Sequence, residues 1–103
     1  MAFEISKERY ASFGVATSLP HEIIDTFWDI LDNYLKGVIP LESIIGFHLT
    51  EKKGKLTICY QNQKQQTTIA FDYNYPYDPF FPNIVYLIDQ SGTETLLLPH
   101  ELD

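Results

Sequence analysis

The chain holds a single cysteine, Cys59, so no disulfide can form within it. Cations are scarce. Seven Lys and Arg stand against 14 Asp and Glu, for a net charge of -7. Binding to nucleic acid or to an anionic membrane draws on a basic surface, so neither is expected as a direct partner. A basic protein partner suits this charge better. Apolar runs such as Leu96 to Leu98 fall far short of a membrane span. Met1 to Tyr10 carry Glu4, Lys7, Glu8 and Arg9 and lack the apolar core of a signal peptide. A cytoplasmic protein is therefore expected. The sequence shows no Gly-rich phosphate loop and no nucleophile elbow. Its three histidines, His21, His48 and His100, have no second His or Cys at zinc-site spacing. His100 and Glu101 could join a composite site with Asp103, but a chain terminus is expected to fray. No cofactor, metal or catalytic residue is assigned, and the chain is read as a non-enzyme.

What is present is a globular composition. The 103 residues are 45% hydrophobic, enough for one domain spanning residues 1–103. Residues 9–17 read as a short strand with Gly14 as a bulge. Ser18 reads as a helix cap and Pro20 as a first-turn residue. The helix spans residues 20–36: Ile23, Ile24, Phe27, Trp28, Ile30, Leu31, Tyr34 and Leu35 recur at spacings of three and four. Trp28 is expected in the core. Gly37 suits the helix end, and Pro40 prevents resumption.

Beyond Pro40 the period changes to two. Ile45, Phe47 and Leu49 form one set, Leu56, Ile58 and Tyr60 a second, and Ile69, Phe71 and Tyr73 a third. A two-residue turn at Lys53-Gly54 pairs Phe47 with Tyr60 and Leu49 with Ile58, which keeps the apolar faces together. Gln61 to Gln66 read as the next turn. Residues 74–83 hold three prolines and read as an irregular connection. Strands over 84–89 and 95–98 follow, joined around Ser91-Gly92, and their two apolar faces suggest the middle of a covered sheet. The order β-α-β-β-β-β-β predicts an α+β fold: a mostly antiparallel sheet of five to six strands with one amphipathic helix packed on it.

One set of residues resembles a known family. Arg9-Tyr10, Gly14-Val15, Leu19-Pro20, Trp28-x-x-Leu31-Asp32, Val85 to Asp89 with Gly92, and Leu96 to Leu98 with Glu101 occur in an order similar to a staphylococcal-type family of Gram-positive bacteria, the domain of unknown function number 960. The resemblance spans about residues 9–101. It implies a small intracellular protein and brings no activity, cofactor or catalytic residue.

Four constellations are candidates for function. His48 and Cys59 face each other across the first hairpin, a nucleophile-and-base arrangement that still lacks an oxyanion hole and an orienting group. Asp89 and Glu94 flank the Ser91-Gly92 turn; like charges there are unfavourable, and a wider loop that splays them is expected. Glu22, Asp25, Asp29 and Asp32 line the polar side of the helix. Such a row is usually a solvated face, but on an acidic domain it could steer a basic partner or imitate a phosphate backbone. Cations Lys52, Lys53, Lys55 and Lys64 cluster around two turns, whereas Gln65 to Asp103 carry six acids and no Lys or Arg, so the molecule is expected to be electrically polar. Finally, seven of the 15 aromatic residues fall between Phe71 and Tyr86. A proline-stiffened aromatic loop either plugs the sheet or supplies contact area at low entropy cost.

The leading expectation is a protein-interaction domain whose partner is another protein or a second copy of itself through a sheet edge. Its contact patch is Tyr75, Tyr77, Phe80 and Phe81, with Asp25, Asp29 and Asp32 adding steering. The alternatives are an acidic decoy for a nucleic-acid enzyme and a hydrolase using His48 and Cys59.

Overall fold

A computed structural model of the chain describes Phe3, residues 8–62 and residues 66–102. The elements run β1 (Glu8–Ala11), α1 (Phe13–Ser18), α2 (His21–Ile30), a π-helical turn (Leu31–Leu35), β2 (Ile44–Lys52), β3 (Lys55–Asn62), β4 (Thr67–Pro76), β5 (Ile84–Gln90), β6 (Thr93–Leu97) and a closing 3-10 turn (Pro99–Glu101). The strands form one sheet in the order β1-β6-β5-β2-β3-β4. Neighbours are antiparallel except β1, which lies parallel to β6. The fold class is thus α+β with a mixed six-stranded sheet.

The alternation in β2 and β3 sets the core. Phe47 pairs with Tyr60 and Leu49 with Ile58, in the expected register. Lys53 and Gly54 both take positive φ, 54° and 80°, which a two-residue hairpin turn requires. Ile45, Phe47, Leu49, Leu56, Ile58, Tyr60, Val85, Leu87 and Leu96 point to one side of the sheet and are buried there. Ile23, Phe27 and Ile30 of α2 close over them, with the Phe27 and Phe47 rings 5.2 Å apart edge to face. Phe3 adds a fully buried ring to the same cluster.

Several expectations are corrected. Only Glu8–Ala11 of residues 9–17 belong to a strand; the rest form α1, because the Ser12 hydroxyl accepts from the Val15 N–H and nucleates a helical turn. Gly14 is consequently a helical residue and not a bulge. Ser18 ends α1, and Pro20 is the N-cap of α2 without a side-chain hydrogen bond. The 20–36 helix is α-helical only to Ile30. From Leu31 the ladder widens into a π turn, with the Lys36 N–H donating to Leu31 O at 2.9 Å. Gly37 leaves it with φ 74°, as a C′ glycine does.

Strand β4 continues through Pro76, further than expected, because it is the outermost strand and a proline there forfeits no ladder bond on the outer side. Strands β5 and β6 are central, fully covered on one face and only partly on the other, where Leu97 is buried. Ile84, Tyr86 and Ile88 remain half-exposed on the other, where Tyr86 lies across Gly46 so closely that a Cβ there would sit 3.2 Å from the ring. The turn expected at Gln61 to Gln66 lies partly outside the described residues. Glu4, Lys7, Lys64 and Asp103 lie outside them entirely. No helix among the described residues is long and apolar enough to cross a membrane.

Candidate functional site

The densest polar cluster joins β1, β6 and the end of the helix. Glu94 is 0% exposed, an unusual location for a carboxylate. Its register partner on β1 is Arg9, whose Nε donates to Glu94 Oε1 at 2.8 Å. The Lys36 ammonium lies 3.2 Å from Glu94 Oε2. Arg9 also grips Asp32 with both terminal nitrogens, and its guanidinium stacks 5.0 Å above the Trp28 ring. Asp32 holds the Arg9 pKa above its ordinary value, and Arg9 holds Asp32 below its own. Two cations thus neutralise two anions. This arrangement ties the outer strand β1 to the helix. Trp28 is half-buried beneath Arg9 and packs against the core's margin instead of lying inside it.

Two further carboxylates act as backbone clamps. The Asp89 carboxylate accepts from Phe3 N–H at 3.0 Å and Gly92 N–H at 2.9 Å. Asp89 and Glu94 are direct cross-strand partners, so the wide, splaying loop expected there is replaced by a tight turn with positive φ at Ser91 and Gly92. The repulsion is met on each side separately: backbone donors serve Asp89, while Arg9 and Lys36 serve Glu94. Glu101 accepts from Leu98 N–H at 2.8 Å, from Gly14 N–H at 3.1 Å and from the Ser12 hydroxyl. The Ser12 hydroxyl, followed by the Leu98 amide, holds its pKa below the ordinary value. A Cβ on Gly14 would meet Leu98 Cδ1 at 2.8 Å and Glu101 Oε1 at 2.9 Å.

The aromatic loop divides. Phe81 is only 8% exposed and belongs to the core. Tyr75 and Tyr77 are half-buried and pack on it, with ring centroids at 6.5 and 6.0 Å. Phe80 projects outward at 92% exposure. The helix carboxylates divide as well. Asp32 is spent on Arg9 and Lys36, Asp25 lies 3.3 Å from His21 Nε2, and Asp29 accepts from Asn33. Asp29 also raises the Tyr73 hydroxyl, which burial chiefly pushes up to about 12. The acid row therefore flanks β4 at Glu22 and Asp29 and turns toward β1 at Asp32.

Between α2 and β4 runs a cleft of ≈ 190 Å³, lined by Glu22, Ile23 and Thr26 of α2, Leu56 of β3, and Tyr73 and Tyr75 of β4. Sequence reasoning missed both this cleft and the Arg9–Glu94 network. A signal for the cleft was available in the helical i, i+4 spacing of Glu22 and Thr26. His48 and Cys59 are register partners on the uncovered face, as expected. Their neighbours in that row are Ile84 and Ala70, neither of which can orient an imidazole. Among the described residues no group of three His, Cys, Asp or Glu converges to hold a metal ion.

These features define a two-layer α+β fold, in which short helices and charge clamps cover one side of a mixed sheet and leave the other largely open. The chain belongs to the family described as staphylococcal protein of unknown function, domain of unknown function 960, whose pattern matches residues 8–101. It is similar to a crystal structure of a protein of unknown function from Enterococcus faecalis: 38% identity, 94% of this chain and 92% of that chain covered, TM-score 0.90. Among curated proteins none matches. The residues that carry the family resemblance converge in three places: Arg9 with Trp28 and Asp32, Asp89 with Gly92, and Gly14 with Leu98 and Glu101.

Proposed function

We propose that this chain is a non-enzymatic protein-interaction domain of the cytoplasm. The observation that carries the reading is the asymmetry of the aromatic loop. Phe81 anchors it from within, Tyr75 and Tyr77 brace it, and Phe80 stands 92% exposed at its tip. A large ring held outward by a buried neighbour is a pre-ordered contact, which lowers the entropy lost on binding. The contact patch is accordingly Phe80 with the exposed edges of Tyr75 and Tyr77, and Phe81 positions it. Glu22, Asp25 and Asp29 supply steering toward a basic partner.

The test is capture of a partner from the native cell by wild type and by Phe80→Ala. The variant is expected to bind at least about tenfold more weakly, as an interface anchor does, with stability unchanged within about 0.5 kcal/mol. Equal capture by both proteins would sink the patch. The acidic-decoy reading is weakened by the loss of Asp32 to Arg9. It requires binding that disappears when Asp25 and Asp29 become Asn.

A further inference from the structure

We infer that the cleft between α2 and β4 is a docking groove for an extended, basic and apolar segment of a partner protein, added to the sheet as a seventh strand beside β4. This rests on the reading of the chain as a protein-interaction domain, and it names where and how the partner binds.

Three observations converge. First, β4 spans ten residues at the end of the sheet, and among the described residues no strand pairs with its outer edge. Over Thr68 to Asp72 the ladder with β3 is regular and the edge carries no proline and no lysine, two devices that block strand addition; a register irregularity follows between Asp72 and Pro76. Second, the helix-facing side of β4 is unfinished. Ile69, Phe71, Tyr73 and Tyr75 are all half-buried, whereas their counterparts on β3, Leu56, Ile58 and Tyr60, are at most 1% exposed. An added strand would stand about 4.8 Å farther out, and its alternate side chains would complete this row. The cleft at its head has a volume of ≈ 190 Å³. A cavity of about 150 Å³ admits a benzene ring, so an aliphatic or small aromatic side chain fits.

Third, the charge selects the occupant. Glu22 lines the groove, and Asp29 lies near enough to Tyr73 to raise its hydroxyl pKa. Asp72, mid-strand on the opposite face, is already paired with Lys52 at 3.4 Å and accepts from the Thr57 hydroxyl, so the selection rests on the helix side. No Lys or Arg occurs in β4. A second copy of this chain is a poor occupant. It brings another net charge of -7, with the same acids on the helix side of its own β4. A segment alternating Val, Ile, Leu or Tyr with Lys or Arg meets all three conditions.

The probe is a pool of acetylated decapeptides of that alternating composition, tested on the full chain by fluorescence polarisation and by amide chemical shifts. Saturable binding is expected, with shifts confined to residues 68–75 and to Glu22, Thr26 and Asp29. Methylating alternate peptide nitrogens, in the phase that faces β4, should abolish binding, and the opposite phase should not. A matched pool with Glu in place of Lys and Arg should not bind. Glu22→Gln with Asp29→Asn should weaken binding about tenfold, the combined effect of two exposed charges that the bound segment would cover. Thermal melting of that double variant checks that it is folded, and the N-methyl pair needs no variant at all.

No binding, equal binding of both N-methyl phases, or shifts on the uncovered sheet face would overturn the groove. Contacts between two β4 strands would overturn it in favour of a second copy. A native partner lost on Phe80→Ala but retained by Thr26→Arg, which fills the groove, would leave the interaction reading standing and remove this one. A native partner lost on Thr26→Arg and competed away by the peptide pool would support both.

Discussion

Glu94 offers the sharpest test of what holds β1 in place. It is 0% exposed, while the side chains of its partners Arg9 and Lys36 are 28% and 21% exposed. The two directions of disruption are therefore unequal. Glu94→Gln leaves an amide that still accepts from Arg9, and both cations can turn toward water, so a loss of about 2 kcal/mol is expected. Arg9→Met with Lys36→Met strands a carboxylate where water cannot follow. Removing the partner of a buried charge costs about 3–5 kcal/mol, and we place this double variant near the middle of that range. Asp32 also loses its partners, but its side chain is 42% exposed and stays hydrated. The triple variant Glu94→Leu, Arg9→Met, Lys36→Met removes the stranded charge and should recover all but about 1 kcal/mol.

Urea unfolding at neutral pH measures all three. A chain of this size has about 5–15 kcal/mol in total, so the double variant remains measurable in the upper part of that range. If it does not fold, the recovery of a cooperative transition in the triple variant serves as the readout. The reasoning fails if Glu94→Gln is the worst of the three, or if the triple variant is no more stable than the double. Either result would mean that the pairing itself, not the avoidance of a stranded charge, provides the stability.

Other expectations follow from the same geometry. Phe81→Ala should cost about 3 kcal/mol, as large-to-small changes in a core do, whereas Phe80→Ala should change melting little; equal effects would contradict the division of the loop. Gly14→Ala should destabilise by about 1–3 kcal/mol, because the new Cβ meets Leu98 and a Glu101 that is held by three donors; a stability gain would refute the close packing there. Asp32 and Glu101 both have lowered pKa values in the fold. The unfolded chain therefore binds more protons between the two sets of values. Their contribution is fully present at neutral pH and is lost as pH falls below about 4. Asp32→Asn and Glu101→Gln should each flatten the acid limb of a melting-temperature profile, and an unchanged slope in both would refute the assignment.

The sequence disclosed what local rules control. Alternation with a two-residue Lys53-Gly54 turn fixes the β2–β3 register, because a slip by one residue would put Phe47 and Tyr60 on opposite faces and expose one of them. The i, i+3, i+4 spacing likewise locates α2. What stayed hidden depends on residues far apart in the chain. Ser12 could be read as part of a strand because the 3-10 turn that holds it, through Glu101, lies 89 positions away. The repulsion between Asp89 and Glu94 appeared to demand a wide loop because, the Gly92 amide apart, their separate donors come from Phe3, Arg9 and Lys36, none of them adjacent in sequence. Residues 74–76, the end of β4, read as part of a loop because nothing local marks β4 as the last strand. Once it is placed there, Pro76 is permitted, Phe71 and Tyr73 are only half-covered, and the acids of α2 gain a surface to act on. The same edge position that obscured the strand is what leaves the groove open.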